Sequence, residues 1–305
     1  MSSDTEEVNE EEEPRCASCG ITQGDHIKLM KCTACKLARY CSVACQKEHW
    51  PKHKRGCKKR AAELRDELLF TQPESTHYGD CPICCLPLPL GLQNSTMSDC
   101  CSKSICNGCN YANQMREHKQ RLGQSCLFCR EPAPSTDEER HKQRMKRIAA
   151  NNPAAFCREG TEQYIEGEYN KAFDYFTKAS ELGDLEAHFK LAGLYQLGHG
   201  VEKDMGKSMY HLEEAAIGGH PHARHGIGLN EMGKRNAKRA VKHWIIAAAQ
   251  GNDDSIRMLK NAFKEGDLSK EDLTSALRAH KAAVDATKSS QREAAEEWYR
   301  NKFGK

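Results

Sequence analysis

Sixteen of the seventeen cysteines lie between Cys16 and Cys129, most of them in pairs two or three residues apart, and only Cys157 lies beyond. No other feature limits the fold so tightly. Hydrophobic residues make up 38% of the 305-residue chain and aromatics 7%, which is lean for one large core, so several small units are expected. Disulfides, a reactive thiol and a metal are the three uses open to such cysteines. The N-terminal "MSSDTEEVNEEEEP" is acidic and lacks an apolar stretch, so no secretory signal is expected there. The expected compartment is the reducing cytosol or nucleus, where clustered cysteines point to metal rather than disulfide. No apolar run reaches about 18 residues, so no membrane span is expected.

The first cluster reads Cys16-x2-Cys19, Cys32-x2-Cys35, Cys41-x3-Cys45 and His53-x3-Cys57. Zinc takes four Cys or His ligands tetrahedrally, and a gap of two or three residues lets one turn present both side chains to one ion. Eight ligands therefore hold two ions. A catalytic thiolate fits less well, because a coordinated sulfur is shielded. The order CxxC, CxxC, "YCSVAC", "WPKHKRGC" resembles the MYND-type zinc finger along its whole length, with Tyr40 before Cys41 and Trp50 before His53 also matching. The resemblance implies an interleaved arrangement: Cys16, Cys19, Cys41 and Cys45 on one zinc, Cys32, Cys35, His53 and Cys57 on the other. It also implies peptide docking rather than catalysis. The basic run 47–60 is either a guide for an acidic partner or the solvated face of a short helix.

The second cluster reads Cys81-x2-Cys84, Cys100-Cys101, Cys106-x2-Cys109 and Cys126-x2-Cys129. Its text, "CPICCLPLPL…CCSKSICNGC…CLFCREP", resembles a RING finger over roughly fifty residues. Adjacent Cys100 and Cys101 stand where that family has Cys-x-His. The resemblance implies an all-cysteine variant, with Cys81, Cys84, Cys106 and Cys109 on one zinc and Cys100, Cys101, Cys126 and Cys129 on the other. Vicinal ligands are awkward, so whether both Cys100 and Cys101 bind is left open at this point. Cys85 is expected to be spare, and His118, on a segment that reads as an exposed helix, is a poor substitute ligand.

A RING-type zinc is structural and has no open position. The resemblance implies a platform for a ubiquitin-conjugating enzyme, acting by positioning a thioester. Ile83 matches the apolar contact for that enzyme, and Arg130 the cation placed after the last ligand; Leu86, Leu88 and Pro132 are expected to complete the platform. The plainer alternative makes Ile83 core packing and Arg130 a surface base. Leu127 departs from the family, which often has proline there.

After Ala154 a period replaces the ligands. Units begin near Ala154, Ala187 and Ala223, with a weaker fourth near Ser255, and Gly183, Gly219 and Gly251 recur where a helix stop is wanted. Each unit reads as two amphipathic helices, and such pairs bury their stripes only by stacking into a solenoid. The middle unit, with Gly198, Gly200, Val201, Asp204 and Lys207, resembles the Sel-one-like repeat, a relative of the tetratricopeptide repeat, which implies a scaffold that holds partners. The histidines His188, His199, His211, His220, His222, His225 and His243 read as helix-surface or interface residues, since no ligand pairing accompanies them. "SSQREAAEEWYRNKFGK" reads as a helix capping the solenoid.

The expected architecture is multidomain and mainly α: two small cross-braced zinc fingers followed by an α-solenoid of helix-pair repeats. The divisions are an acidic disordered tail (1–14), a MYND-type finger (15–58), a helical linker (59–79), a RING-like finger (80–133), a helical linker (134–153), repeats (154–287) and a C-terminal capping helix (288–305). About four zinc ions are expected, two per finger. The joined order is similar to that of multidomain proteins of unicellular algae such as diatoms, a similarity that carries no function. No phosphate loop, paired nucleophile or open metal site is present, and the repeats leave no room for the methyltransferase domain that often accompanies a MYND finger. The net charge of +3 argues against nucleic acid, although the first thirteen residues alone carry seven acids. The expected function is a RING-type ubiquitin ligase whose MYND finger and repeats recruit protein partners, or alternatively a non-enzymatic zinc-dependent adaptor.

Overall fold

The computed structural model describes residues 13–24, 26–91 and 94–303, so most of the acidic tail lies outside the described residues. The chain forms two compact units, Met1–Thr71 and Gln72–Lys305.

In the first unit, strands β1 (Met30–Lys31) and β2 (Arg39–Tyr40) pair antiparallel ahead of helix α1 (Val43–Phe70). The Ser42 hydroxyl starts α1 by accepting the Cys45 amide at 3.2 Å. The helical linker expected over 59–79 is, as far as Phe70, the C-terminal part of α1. No glycine or proline lies between Gly56 and the helix end at Phe70, and Arg60 meets Glu63 and Glu67 one and two turns on. The buried core is Cys16, Leu29, Cys32, Cys35, Tyr40 and Cys57. Four of those six are thiols, so apolar burial alone cannot hold this unit together.

The second unit opens with the cysteine-rich finger. Its strands β3 (Ser95–Met97) and β4 (Ser104–Cys106) pair antiparallel and lead into helix α2 (Asn107–Lys119). Its core is again mostly thiol: Cys81, Cys106 and Cys109 with Leu88 and Ile105. Leu88, expected on an exposed platform, is 3% exposed within this core, where it packs with Ile105 as one of the two buried residues that are not thiols. Helix α3 (Asp137–Ala149) was expected to be a spacer. Instead its buried Arg144 bonds Asp99 of the finger at 3.2 Å and Glu159 of the next helix at 2.7 Å.

Four helix pairs follow: α4 (Pro153–Ile165) with α5 (Tyr169–Glu181), α6 (Leu185–Leu197) with α7 (Met205–Ile217), α8 (Pro221–Gly233) with α9 (Ala237–Ala249), and α10 (Asp253–Glu265) with α11 (Lys270–Ala286). Each pair packs on the next. One local device repeats at every entry. Asn151, Gly183, Gly219 and Gly251 are left-handed, with φ of 53°, 89°, 87° and 91°. The residue after each, Asn152, Asp184, His220 and Asn252, caps the coming helix with its side chain. Small residues set the helix spacing: a Cβ on Gly160 would sit 2.8 Å from the Phe176 ring, and one on the equivalent Gly228 would collide with Trp244.

Helix α12 (Ser290–Phe303), expected as a cap on the solenoid, packs on α2 of the finger. Tyr111 and Trp298 meet with ring centroids 5.4 Å apart.

Candidate metal centres

The two fingers are built from one repeated turn. After Cys19, Cys35, Cys84 and Cys129 the chain enters the left-handed region, at Gly20, Lys36, Cys85 and Arg130. In each case that residue's amide donates to the carbonyl of the first cysteine of the pair, at 2.9 Å. Only one of the four is glycine, so the other three turns cost about 1 kcal/mol each. A tight turn that aims two sulfurs at one point offsets that cost once an ion binds them.

The structure brings together four quartets: Cys16, Cys19, Cys41 and Cys45; Cys32, Cys35, His53 and Cys57; Cys81, Cys84, Cys106 and Cys109; Cys100, Cys101, Cys126 and Cys129. Helix α1 serves both ions of the first finger, since it carries Cys45 and, on two later turns, His53 and Cys57. Buried Tyr40 steadies this helix, with its hydroxyl 3.2 Å from His49 Nδ1 and its ring edge-on to His53. Vicinal Cys100 and Cys101 both reach their quartet, because the turn closed by the Ser102 amide on the Ser98 carbonyl puts Ser102 at φ 55°. Cys85 and His118 are exposed and stand outside every quartet.

The donor atoms fit zinc. Sulfur–sulfur separations are 3.6 Å (Cys19–Cys41), 3.5 Å (Cys41–Cys45), 3.7 Å (Cys32–Cys57), 3.8 Å (Cys84–Cys106), 3.8 Å (Cys101–Cys126) and 3.4 Å (Cys100–Cys129), and Cys35 Sγ lies 3.5 Å from His53 Nε2. A tetrahedron with zinc–sulfur bonds of about 2.3 Å has edges of about 3.8 Å. Disulfide sulfurs would stand about 2.05 Å apart, and every cysteine is free. Electrostatics agree with the geometry. Burial pushes the Cys16 and Cys32 thiols up, but backbone N–H donors, led by those of Cys19 and Cys35, bring each down to about 6. Their neighbours go the other way: hydrogen bonding to Cys45 and Cys19 pushes Cys41 up to about 12, and burial with bonding to Cys32 pushes Cys57 up to about 11. Crowded thiols that keep their protons because of a neighbour's charge are the groups a divalent cation releases.

A fifth group, His77, Glu186 and His220, lies equally close together. Its geometry does not suit a metal. The two imidazoles stack 4.0 Å apart at 10° and present Nε2 to the same carboxylate oxygen as N–H donors, which leaves neither Nε2 a lone pair for an ion. His220 Nδ1 accepts the Ala223 amide at 3.2 Å, which leaves the proton on Nε2. Both Nε2 atoms face the Glu186 carboxylate, at 3.3 Å and 3.1 Å, as donors. The group is a clasp that ties residues 72–79 to the repeats, helped by the His77 amide on the Gly219 carbonyl. Burial pushes His220 down to about 4 despite Glu186, and although burial raises Glu186, the imidazoles and Lys190 hold it below the usual carboxylate range. A histidine depressed on folding is stable above its unfolded pKa of about 6.5 and loses stability as pH falls towards 4, a span of roughly 3 kcal/mol. The melting temperature is therefore expected to fall more between pH 7 and 5 in the wild type than in His220→Asn, which keeps a capping side chain. Equal falls in the two proteins would refute the clasp's role.

A groove of about 690 Å³ opens over α7 between α6 and α8, walled by Phe189, Leu197, Met205, Met209, Leu212 and Leu229. Leu197, Met205 and Leu229 are exposed at its mouth. Ile83 and Arg130 are also exposed, on the loops that hold the finger's quartets. Among the described residues, no helix is long and apolar enough to cross a membrane.

Residues 16–57 match the family model of the MYND finger, and residues 149–184, 185–220 and 223–252 match that of the Sel1 repeat. Human histone-lysine N-methyltransferase SMYD3 is 61% identical over 31 residues, 10% of this chain and 7% of that protein. SET domain and MYND-type zinc finger protein 6 of Schizosaccharomyces pombe is 38% identical over 52 residues, 17% of this chain and 11% of that protein. The chain thus spans only about a tenth of these relatives' lengths. Among solved structures, a Sel1 repeat protein from Oxalobacter formigenes aligns with 22% identity and a TM-score of 0.44, covering 63% of this chain and 86% of that one.

Proposed function

We propose that this chain is a zinc-dependent protein-interaction adaptor: its MYND finger and the groove of its Sel1 repeats hold protein partners, and its all-cysteine finger docks a ubiquitin-conjugating enzyme. The apolar groove carries the adaptor reading. It is large enough for several side chains, and its exposed Leu197, Met205 and Leu229 have a use if a partner covers them. The same finger supports a RING-type ligase reading through Ile83, 43% exposed between two ligands where a core residue would be buried. Arg130 supports it less, since the knuckle turn already accounts for its backbone.

Autoubiquitination with a panel of conjugating enzymes tests the ligase reading. Ile83→Ala is expected to cut the rate at least tenfold, as loss of one anchoring contact does, and Arg130→Ala several-fold. Activity indifferent to both substitutions, or absent with every enzyme, rejects the ligase and leaves the adaptor. The adaptor is tested by partner capture, which should survive Ile83→Ala but fail with Leu229→Glu for partners of the groove and with Cys57→Ser for partners of the MYND finger; capture unchanged in both variants would reject it.

A further inference from the structure

We propose that Arg292, on the last helix of the chain, is an outer-sphere partner of the zinc site of Cys81, Cys84, Cys106 and Cys109, so that the finger holds this ion tightly only while α12 is docked. The inference rests on the reading of this quartet as a zinc site.

Four thiolates around one Zn²⁺ leave a net charge of −2, which a low-dielectric surround makes costly. Arg292 reaches this site from 208 residues away in sequence, with Nη2 donating to Cys84 Sγ at 3.3 Å. Its terminal nitrogens also hold the same loop and the end of α11: Nη2 donates to the Leu86 carbonyl at 3.1 Å, and Nη1 to those of Pro87 and Thr287, both at 2.7 Å. The guanidinium thus clamps the loop that carries Cys84 and sets a positive charge against its sulfur. Cys106 faces it too.

The approach is close and built for. A Cβ on Gly108, between Cys106 and Cys109, would lie 2.8 Å from Arg292 Cγ and 3.0 Å from its backbone, so only glycine lets α12 in. Gln291 donates to the Gly108 carbonyl at 3.1 Å. Ser289 starts α12 by accepting the Arg292 amide at 3.3 Å, which fixes where the arginine leaves the helix. Further along, Trp298 packs on Tyr111 of α2. Since docking of α12 favours the ion, the ion favours docking by the same factor. Loss of the last helix therefore opens one zinc site of the finger.

The test is chelator competition on the full zinc-loaded chain, with the order of cysteine alkylation mapped by mass spectrometry. In Arg292→Ala, one ion is expected to bind about 10- to 100-fold more weakly, the usual effect of losing an outer-sphere partner. Cys84 and Cys106, the sulfurs the guanidinium faces, should then be alkylated first, with the MYND ions unchanged as an internal control. Trp298→Ala, which undocks α12 without touching the loop, should reproduce the effect and carries the test if Arg292→Ala misfolds. Reciprocally, removing this ion should speed amide exchange in α12. Normal loading with unchanged release in both variants overturns the proposal alone, as does exchange in α12 that ignores the ion. A wild-type chain that binds no ion at this quartet overturns the zinc reading and the proposal together.

Discussion

Chelation is expected to unfold both fingers while the helices of the repeats stay folded. Purified chain should carry about four zinc ions, and their removal should abolish the ordered structure of residues 16–57 and 81–129. The expectation follows from the cores. Thiols supply four of six buried residues in the first finger's cluster and three of five in the second's. A structural zinc contributes about 10–16 kcal/mol, comparable with the whole stability of an ordinary domain. A single change, Cys106→Ser, should cost the second finger one ion and its fold, because Cys106 is fully buried and both ends β4 and caps α2. The repeats contain no quartet, and their clusters are apolar, so circular dichroism should retain most of its helical signal after chelation. A chain that keeps both fingers ordered without metal would contradict this account, as would one isolated with the ligand sulfurs bridged in pairs.

Trp244→Ala is expected to be the most damaging substitution in the solenoid. Trp244 is fully buried among Ala240, Val241, Ala248, Ile256 and Leu259, so it belongs to α9 but holds α10 as well. Its Nε1 donates to the His225 carbonyl at 3.3 Å, and Gly228 leaves the space its ring fills. Removal of a buried tryptophan costs about 3–5 kcal/mol through lost burial and the cavity left behind. For a unit of this size that corresponds to a fall in melting temperature of roughly 6–20 °C. Trp244→Phe should cost less, since most of the volume remains. A loss below about 1 kcal/mol on denaturant unfolding of Trp244→Ala would mean that the repeat collapses around the gap and that the junction is softer than its packing implies.

The zinc quartets were legible in the sequence because ligation is local. Cys16 and Cys19, or Cys126 and Cys129, must meet at one turn whatever the rest of the chain does. The repeats were legible for a similar reason: a glycine recurs at 183, 219 and 251 where a helix must stop, and helix-period apolar stripes demand a neighbour. Less could be read where a residue's role depends on what lies across from it. Leu88 looked like an exposed platform residue and is core; the first half of the 59–79 linker continues α1 to Phe70. Helix α3 looked like a spacer, yet its Arg144 is buried between two carboxylates.

Spacing, composition and period thus determined which cysteines and which histidine gather into quartets, roughly where the repeat units fall and that their helices stack. Those properties follow from contacts within a few residues or between adjacent repeats. Only the tertiary structure decided that the last helix lies on the finger, that Arg292 faces Cys84, and that His77 and His220 share one carboxylate. Each of these joins residues more than a hundred positions apart, and no local propensity records which distant surface a charged helix will meet.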